Sequence, residues 1–172
     1  MTNKLRLFIL MLFVLSLPRL ALAEKPDDDT FYDLFSRCLD YATNGTALST
    51  EGLKPLKAKI ANKVAADAEV VYHKQKGAFT FLRENWGFFL HRLGDQGCRV
   101  FAAPVNTGNA QGHVWKETHR QKFNTLGSEE DKENDIVTHR YEKQLADGRS
   151  VRVIAVSYSP FKKTIDVRVN VN

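Results

Sequence analysis

Cysteine is scarce in this chain of 172 residues: there are two, Cys38 and Cys98, and they do not form a C-x-x-C pair. That spacing argues against a redox-active dithiol. Methionine is equally rare, and both copies, Met1 and Met11, fall within the first 23 residues. Ten glycines and five prolines are too few for a collagen-like chain, and 43% hydrophobic with 26% charged residues excludes a mainly disordered one. No apolar run reaches the length a polytopic membrane protein repeats. Internal repeats, low-complexity tracts and linkers are also lacking, and the length leaves no room for a large multidomain enzyme.

Chemical signatures are missing as well. There is no G-x-S-x-G elbow, no G-x-x-x-x-G-K-[ST] or G-x-G-x-x-G phosphate loop, and no H-E-x-x-H or H-x-H. Asp27-Asp28-Asp29 lacks the glycine and terminal glutamate of a calcium loop. The sequence therefore yields no catalytic residue, no metal ligand set and no cofactor.

What is present begins at the N-terminus. Lys4 and Arg6 precede an apolar core from Leu7 to Leu17, Pro18 ends it, and Ala21-Leu22-Ala23 gives the small-x-small pattern of a signal peptidase site. This predicts a signal peptide over residues 1–23, cut between Ala23 and Glu24. The core would cover only about half of a ~30 Å hydrocarbon layer, so no stable membrane span is expected after its removal. No cysteine follows the cut for lipid attachment, and no twin arginine is present. The pattern suits a Gram-negative bacterium, with a periplasmic or secreted destination. Of the 25 bases, Lys4, Arg6 and Arg19 lie in this segment; the remaining 22 face 20 acids. A net charge of +2 with interspersed signs gives no nucleic-acid footprint.

An even cysteine pair in an oxidising compartment is most simply a disulfide. Cys38 lies on the apolar side of a helical pattern and Cys98 opens a strand pattern. Closing a loop of that length contributes about 4 kcal/mol on a chain-entropy argument.

Residues 24–172 read as one α+β domain, an antiparallel sheet of about five strands with two or three helices packed mainly on one face. Thr30 is expected to cap a first helix carrying Phe31, Leu34, Phe35, Cys38, Leu39 and Ala42 at i, i+3, i+4 spacing, stopped by Asn44-Gly45. Leu53, Leu56, Ile60 and Val64 suggest a second helix with Pro55 in its first turn and lysines outside. Val70 to Tyr72 is strand-like, and an aromatic stretch runs from Phe79 to Phe89. Phe88 to Leu93 and Cys98 to Ala103 form a hairpin, the first strand apolar on both faces. A third helix is expected from about Asn109 to Leu126, with Trp115 on its apolar face and Gly127 as its stop. Ser128 to Asp135, SEEDKEND, reads as a charged loop. Asp147-Gly148 marks a hairpin between Ile136–Leu145 and Arg149–Ser157. Thr164 to Val171 alternates strictly, one face buried and one wet.

Phe35 with Cys38 in the first helix, Gly97-Cys98-Arg99-Val100 on a strand, Tyr141 after the next helix and Val156-Ser157-Tyr158-Ser159 at a strand end form a layout. It resembles a group of small exported proteobacterial proteins of unknown function. The resemblance implies a disulfide-bearing α+β domain and brings no catalytic residue with it.

The functional expectation is a non-enzymatic binding domain with a protein or small-ligand partner in the envelope. The half-wet C-terminal strand is its candidate edge for strand addition. One alternative is a small exported hydrolase using His91, His139, Tyr158 and Ser159 at strand ends. The other is an inhibitor or immunity protein of an exported enzyme, presenting SEEDKEND. His113 and His119 sit about 120° apart on a helix and do not converge on one metal.

Overall fold

Asp27, not Thr30, opens the first helix. Helix α1 spans Asp28–Asn44, and the Asp27 side chain accepts from the Thr30 N–H at 3.1 Å and from the Thr30 hydroxyl at 2.6 Å. Thr30 is thus the third helical residue. The acids Asp28 and Asp29 fill the first turn, where the helix dipole favours negative charge. Gly45 ends the helix at φ 64, a left-handed conformation in which a side chain would be strained. The inner face carries Phe31, Leu34, Phe35, Cys38 and Leu39, all fully buried.

The chain is seen here in a computed structural model, which describes residues 27–56, 70–73, 87–93, 97–158 and 163–172. The expected signal segment with its Ala23/Glu24 cut, the aromatic residues 79–86, and Ser159 lie outside the described residues. So does most of the expected second helix. Its described start is extended instead: Lys54–Pro55 form a short strand, β1.

The remaining strands are β2 (Val70–His73), β3 (Gly87–Leu93), β4 (Gly97–Ala103), β5 (Asn124–Asp131), β6 (Ile136–Gln144), β7 (Ser150–Tyr158) and β8 (Thr164–Val171). They form one antiparallel sheet in the order β1-β2-β3-β4-β8-β7-β6-β5. Among the described residues the sheet has eight strands rather than about five, and six of them, β3 to β8, run seven residues or longer. Among the described residues there are two helices, the second being α2 (Thr107–Arg120).

The strand order is a palindrome. Among the described residues each half is a helix followed by four antiparallel strands, and the halves meet where β4 pairs with β8. The topology repeats although the sequence does not.

Both helices lie on one face. Cys98, Val100 and Ala102 of β4, Ile165, Val167 and Val169 of β8, and Val151, Val153 and Ala155 of β7 form the sheet side of the core. Phe88 and Leu90 extend it on β3, and Phe89 and His91 are buried on the opposite face, so β3 is covered on both sides. Cys38 and Cys98 are bonded, with Cα atoms 5.8 Å apart, and tie α1 to β4.

Helix α2 is shorter than its pattern suggests. The Gln121 N–H donates to Glu117 O, Lys122 N–H to His119 O and Phe123 N–H to Thr118 O. Lys122 sits at φ 62. This is a Schellman stop with lysine where glycine is usual. Phe123 then turns inward and β5 begins, so Gly127 lies inside a strand.

Candidate functional site

The histidines and the strand-end hydroxyl of the hydrolase reading are not brought together. His91 pairs with Arg99, and that row continues through Arg168 and Ile154 to Arg140. His139 pairs with Ala155, in the row of Val167, Val100 and Leu90. The two imidazoles therefore point to opposite faces. Their strands are also four steps apart, on the order of 19 Å at about 4.8 Å per strand. Tyr158 shares the face of His91 but ends β7, next to the β8 residue Thr164.

His113 and His119 diverge as their spacing requires. His113 faces α1, stacked on Tyr32 at 4.0 Å and edge-on to Phe31 and Phe35. Its Nε2 is buried with no hydrogen-bond partner among the described residues. Burial lowers the His113 pKa; Glu117 works against that shift and Lys116 adds to it. His119 lies outside, against Trp115 at 4.9 Å. No group of three histidine, cysteine, aspartate or glutamate side chains among the described residues is placed to hold a metal ion. No helix among them is long and apolar enough to cross a membrane.

The edges of the sheet are where the structure departs most from the sequence reading. The C-terminal strand β8 lies between β4 and β7 and offers no edge. Its alternate residues are only half-buried, and Asp166 is engaged by Arg99. The two outer strands are β1 and β5. β1 is two residues long, and one of them is Pro55. β5 is eight residues long, has no proline, and is exposed along its whole length.

Among the described residues neither helix covers β5. α1 packs on β3, β4 and β8, and α2 on β7 and β8. The strand is shaped by a bulge between Thr125 and Gly127, where Gly127 has φ 150 and Leu126 is 54% exposed. Its second half is the charged segment expected to be a loop. Glu129, Glu130 and Asp131 pair in register with Thr138, Val137 and Ile136. A strand exposed along its length needs no apolar pattern, which is why this one looks like a loop in sequence.

The hairpin tip is fixed. The Asp131 carboxylate accepts from the N–H groups of Glu133 and Asn134 and from Asn134 Nδ2, at 3.1, 3.2 and 2.8 Å. The Asn134 amide and N–H hold the Asp131 pKa below the usual carboxylate range. Asp135 takes φ 52, tolerated by aspartate, and starts the return strand. Arg140 on β6 reaches Glu129 at 3.0 Å. Residues 128–135 still carry five acids and one lysine. The geometry offers an eight-residue strand edge, bulged near its start and negatively charged in its second half, whose outer side is unpaired among the described residues.

Set against known protein families, curated proteins and solved structures, the chain matches none.

Proposed function

We propose that the chain is an exported, disulfide-stabilised interaction domain that accepts an extended, basic segment of another envelope protein along β5. The observation that carries this reading is the contrast between the edges: β1 is closed to addition by its length and its proline, whereas β5 is eight exposed residues whose outer side is unpaired among the described residues. A strand laid there gains main-chain hydrogen bonds, and the acids of residues 128–135 favour lysine and arginine in the incoming segment. The same acids disfavour self-pairing of two copies. Export is supported by the N-terminal signal pattern and by the buried Cys38–Cys98 bond, which needs an oxidising compartment to form and persist.

The test is site-specific photocross-linking in the producing cell. A photoreactive residue at Glu130 is expected to trap a defined partner, and Ser128→Pro, which removes a β5 N–H, is expected to abolish the adduct. Adducts from β1 positions with none from Glu130 would sink the reading. The rigid tip favours a second reading, an inhibitor that inserts Lys132 to Asp135 into a basic cleft of an exported enzyme. In that case the adduct forms from Glu133 and survives Ser128→Pro.

A further inference from the structure

Two large apolar side chains stand in solvent among the described residues, Trp115 at 53% and Leu126 at 54% exposure. Trp115 does not belong to the apolar face of α2, which is formed by Ala110, Val114 and Thr118. Its ring is held instead by stacking on His119, one turn further on and itself exposed. Gly112, on the turn before, has no side chain to lay over the indole from that side.

The surroundings of Trp115 are basic. Between residues 111 and 127 the only acid is Glu117, and Arg120 already engages it at 2.6 Å. Lys116 and Lys122 are exposed, and Lys143 lies over the Phe123 ring at 5.8 Å. The turn after α2 keeps Leu126 close by. Phe123 is bonded back to Thr118, and the three residues that follow can reach at most about 10 Å. Two acids outside this stretch reach its end: Asp40 accepts from Gln121 Nε2 at 3.3 Å, and Glu142, opposite Asn124, is engaged by Arg152 at 2.7 Å. Along β5 the first acid is Glu129, three residues beyond Leu126, roughly 10 Å, and Asp131 is roughly 17 Å away. The end of α2 thus carries Lys116, Arg120 and Lys122 beside the protruding apolar groups, and the β5–β6 hairpin is acidic at its tip.

Indole and leucine side chains flanked by lysine and arginine are the composition that settles in the headgroup layer of an anionic bilayer. We propose that the C-terminal turn of α2 and the start of β5 dock peripherally on an anionic phospholipid surface. Trp115 and Leu126 enter the headgroup region, Lys116, Lys122 and Lys143 face the phosphates, and the acidic tip points away. This is a surface contact, not a span, and it does not depend on strand addition at β5.

The test is co-sedimentation of the full chain with vesicles of phosphatidylcholine alone, or mixed with phosphatidylglycerol, using brominated acyl chains to quench tryptophan. The apolar N-terminal stretch is common to every variant, so the comparison between variants is the readout. Trp115→Ala is expected to weaken binding to the anionic vesicles about tenfold and to remove most of the quenching. Lys116→Glu with Lys122→Glu is expected to weaken it at least as much, and the wild-type advantage on anionic lipid is expected to vanish at high salt. All three substituted side chains are exposed or face solvent, and an unchanged unfolding midpoint checks the fold. Binding that is indifferent to these substitutions, or equal on the two vesicle types, overturns the proposal. So does capture by soluble heparin without tryptophan quenching on vesicles, which would mark a polyanion site instead.

Discussion

Arg99 on β4 grips Asp166 on β8 through two parallel contacts, Nε to Oδ1 at 2.8 Å and a terminal guanidinium nitrogen to Oδ2 at 2.5 Å. The residues are diagonal neighbours, since Arg99 is opposite Arg168 and Asp166 opposite Phe101. The pair therefore fastens the seam where the two halves meet, on the face away from the helices. Both side chains are about one-fifth exposed. The pair lies between the surface case, worth under about 1 kcal/mol, and a fully buried case costing about 3–5 kcal/mol to break. Asp166→Ala is expected to destabilise by about 1–3 kcal/mol in urea unfolding. Arg99→Lys is expected to recover little, because an ammonium cannot make the fork. Replacing both with apolar residues is expected to cost less than the two single changes together, which a double-mutant cycle reads directly.

Cys38 and Cys98 lie 60 residues apart in the chain, both fully buried. Chain entropy assigns such a crosslink about 4 kcal/mol. With a urea slope of about 1–3 kcal/mol/M, removing it is expected to lower the unfolding midpoint by at least about 1 M. Cys38→Ser with Cys98→Ser and reduced wild type are expected to agree. Mass spectrometry of protein taken from its native compartment without reductant is expected to find no alkylatable thiol.

Much of this arrangement was legible because burial imposes periodicity. The face of α1, the Phe88–Ala103 hairpin, the Asp147-Gly148 turn and the parity of β8 all follow from which residues must avoid water. Cys38 and Cys98 could be paired from two readings, the oxidising compartment that the N-terminal pattern implies and the inward facing of both residues. The candidate site was not legible, because a strand's side-chain pattern reports its faces and says nothing of its edges. β8 alternates as a half-wet edge strand would, yet it is central, with Asp166 drawn into an ion pair. β5 has no apolar pattern because it is exposed along its whole length. The end of α2 was misplaced because Lys122 adopts the left-handed cap. A helix running on to Gly127 places Trp115 on its apolar face, whereas the earlier stop leaves it in solvent. The turn chemistry of Asp131, Asn134 and Asp135, opposite the apolar start of β6, was the signal that could have placed the hairpin.

Two glycines give opposite signs to one substitution. Gly112 lies within α2 with open space at its Cβ and ordinary helical backbone. Gly112→Ala is expected to stabilise by up to about 1 kcal/mol, since alanine loses less entropy in a helix. Gly127 also has nothing near its Cβ, but φ 150 is a conformation a side chain rarely adopts. Gly127→Ala is expected to destabilise by about 1–3 kcal/mol through backbone strain alone. Thermal unfolding of the two variants beside wild type checks both signs. It separates conformational cost from packing, because neither site has packing to lose.

His113 and His73 make stability depend on pH near neutrality. Burial lowers both pKa values. For His113, Glu117 opposes the shift and Lys116 adds to it; for His73, Lys54 adds to it. The unfolded chain, with histidines near 6.5, takes up protons that the folded chain refuses. The contribution of each neutral imidazole is complete above the unfolded pKa and is lost as pH falls through the folded one. The urea midpoint is therefore expected to decline from pH 8 to pH 5, before ordinary carboxylates begin to titrate. His113→Phe keeps an aromatic ring against Tyr32 and removes a titrating group, so its midpoint is expected to decline less over the same range. His73→Phe with His113→Phe is expected to reduce the slope further than His113→Phe alone. If the wild-type midpoint instead rises toward pH 5, the protonated imidazole is the form the α1–α2 contact prefers, and the ring stack on Tyr32 outweighs desolvation.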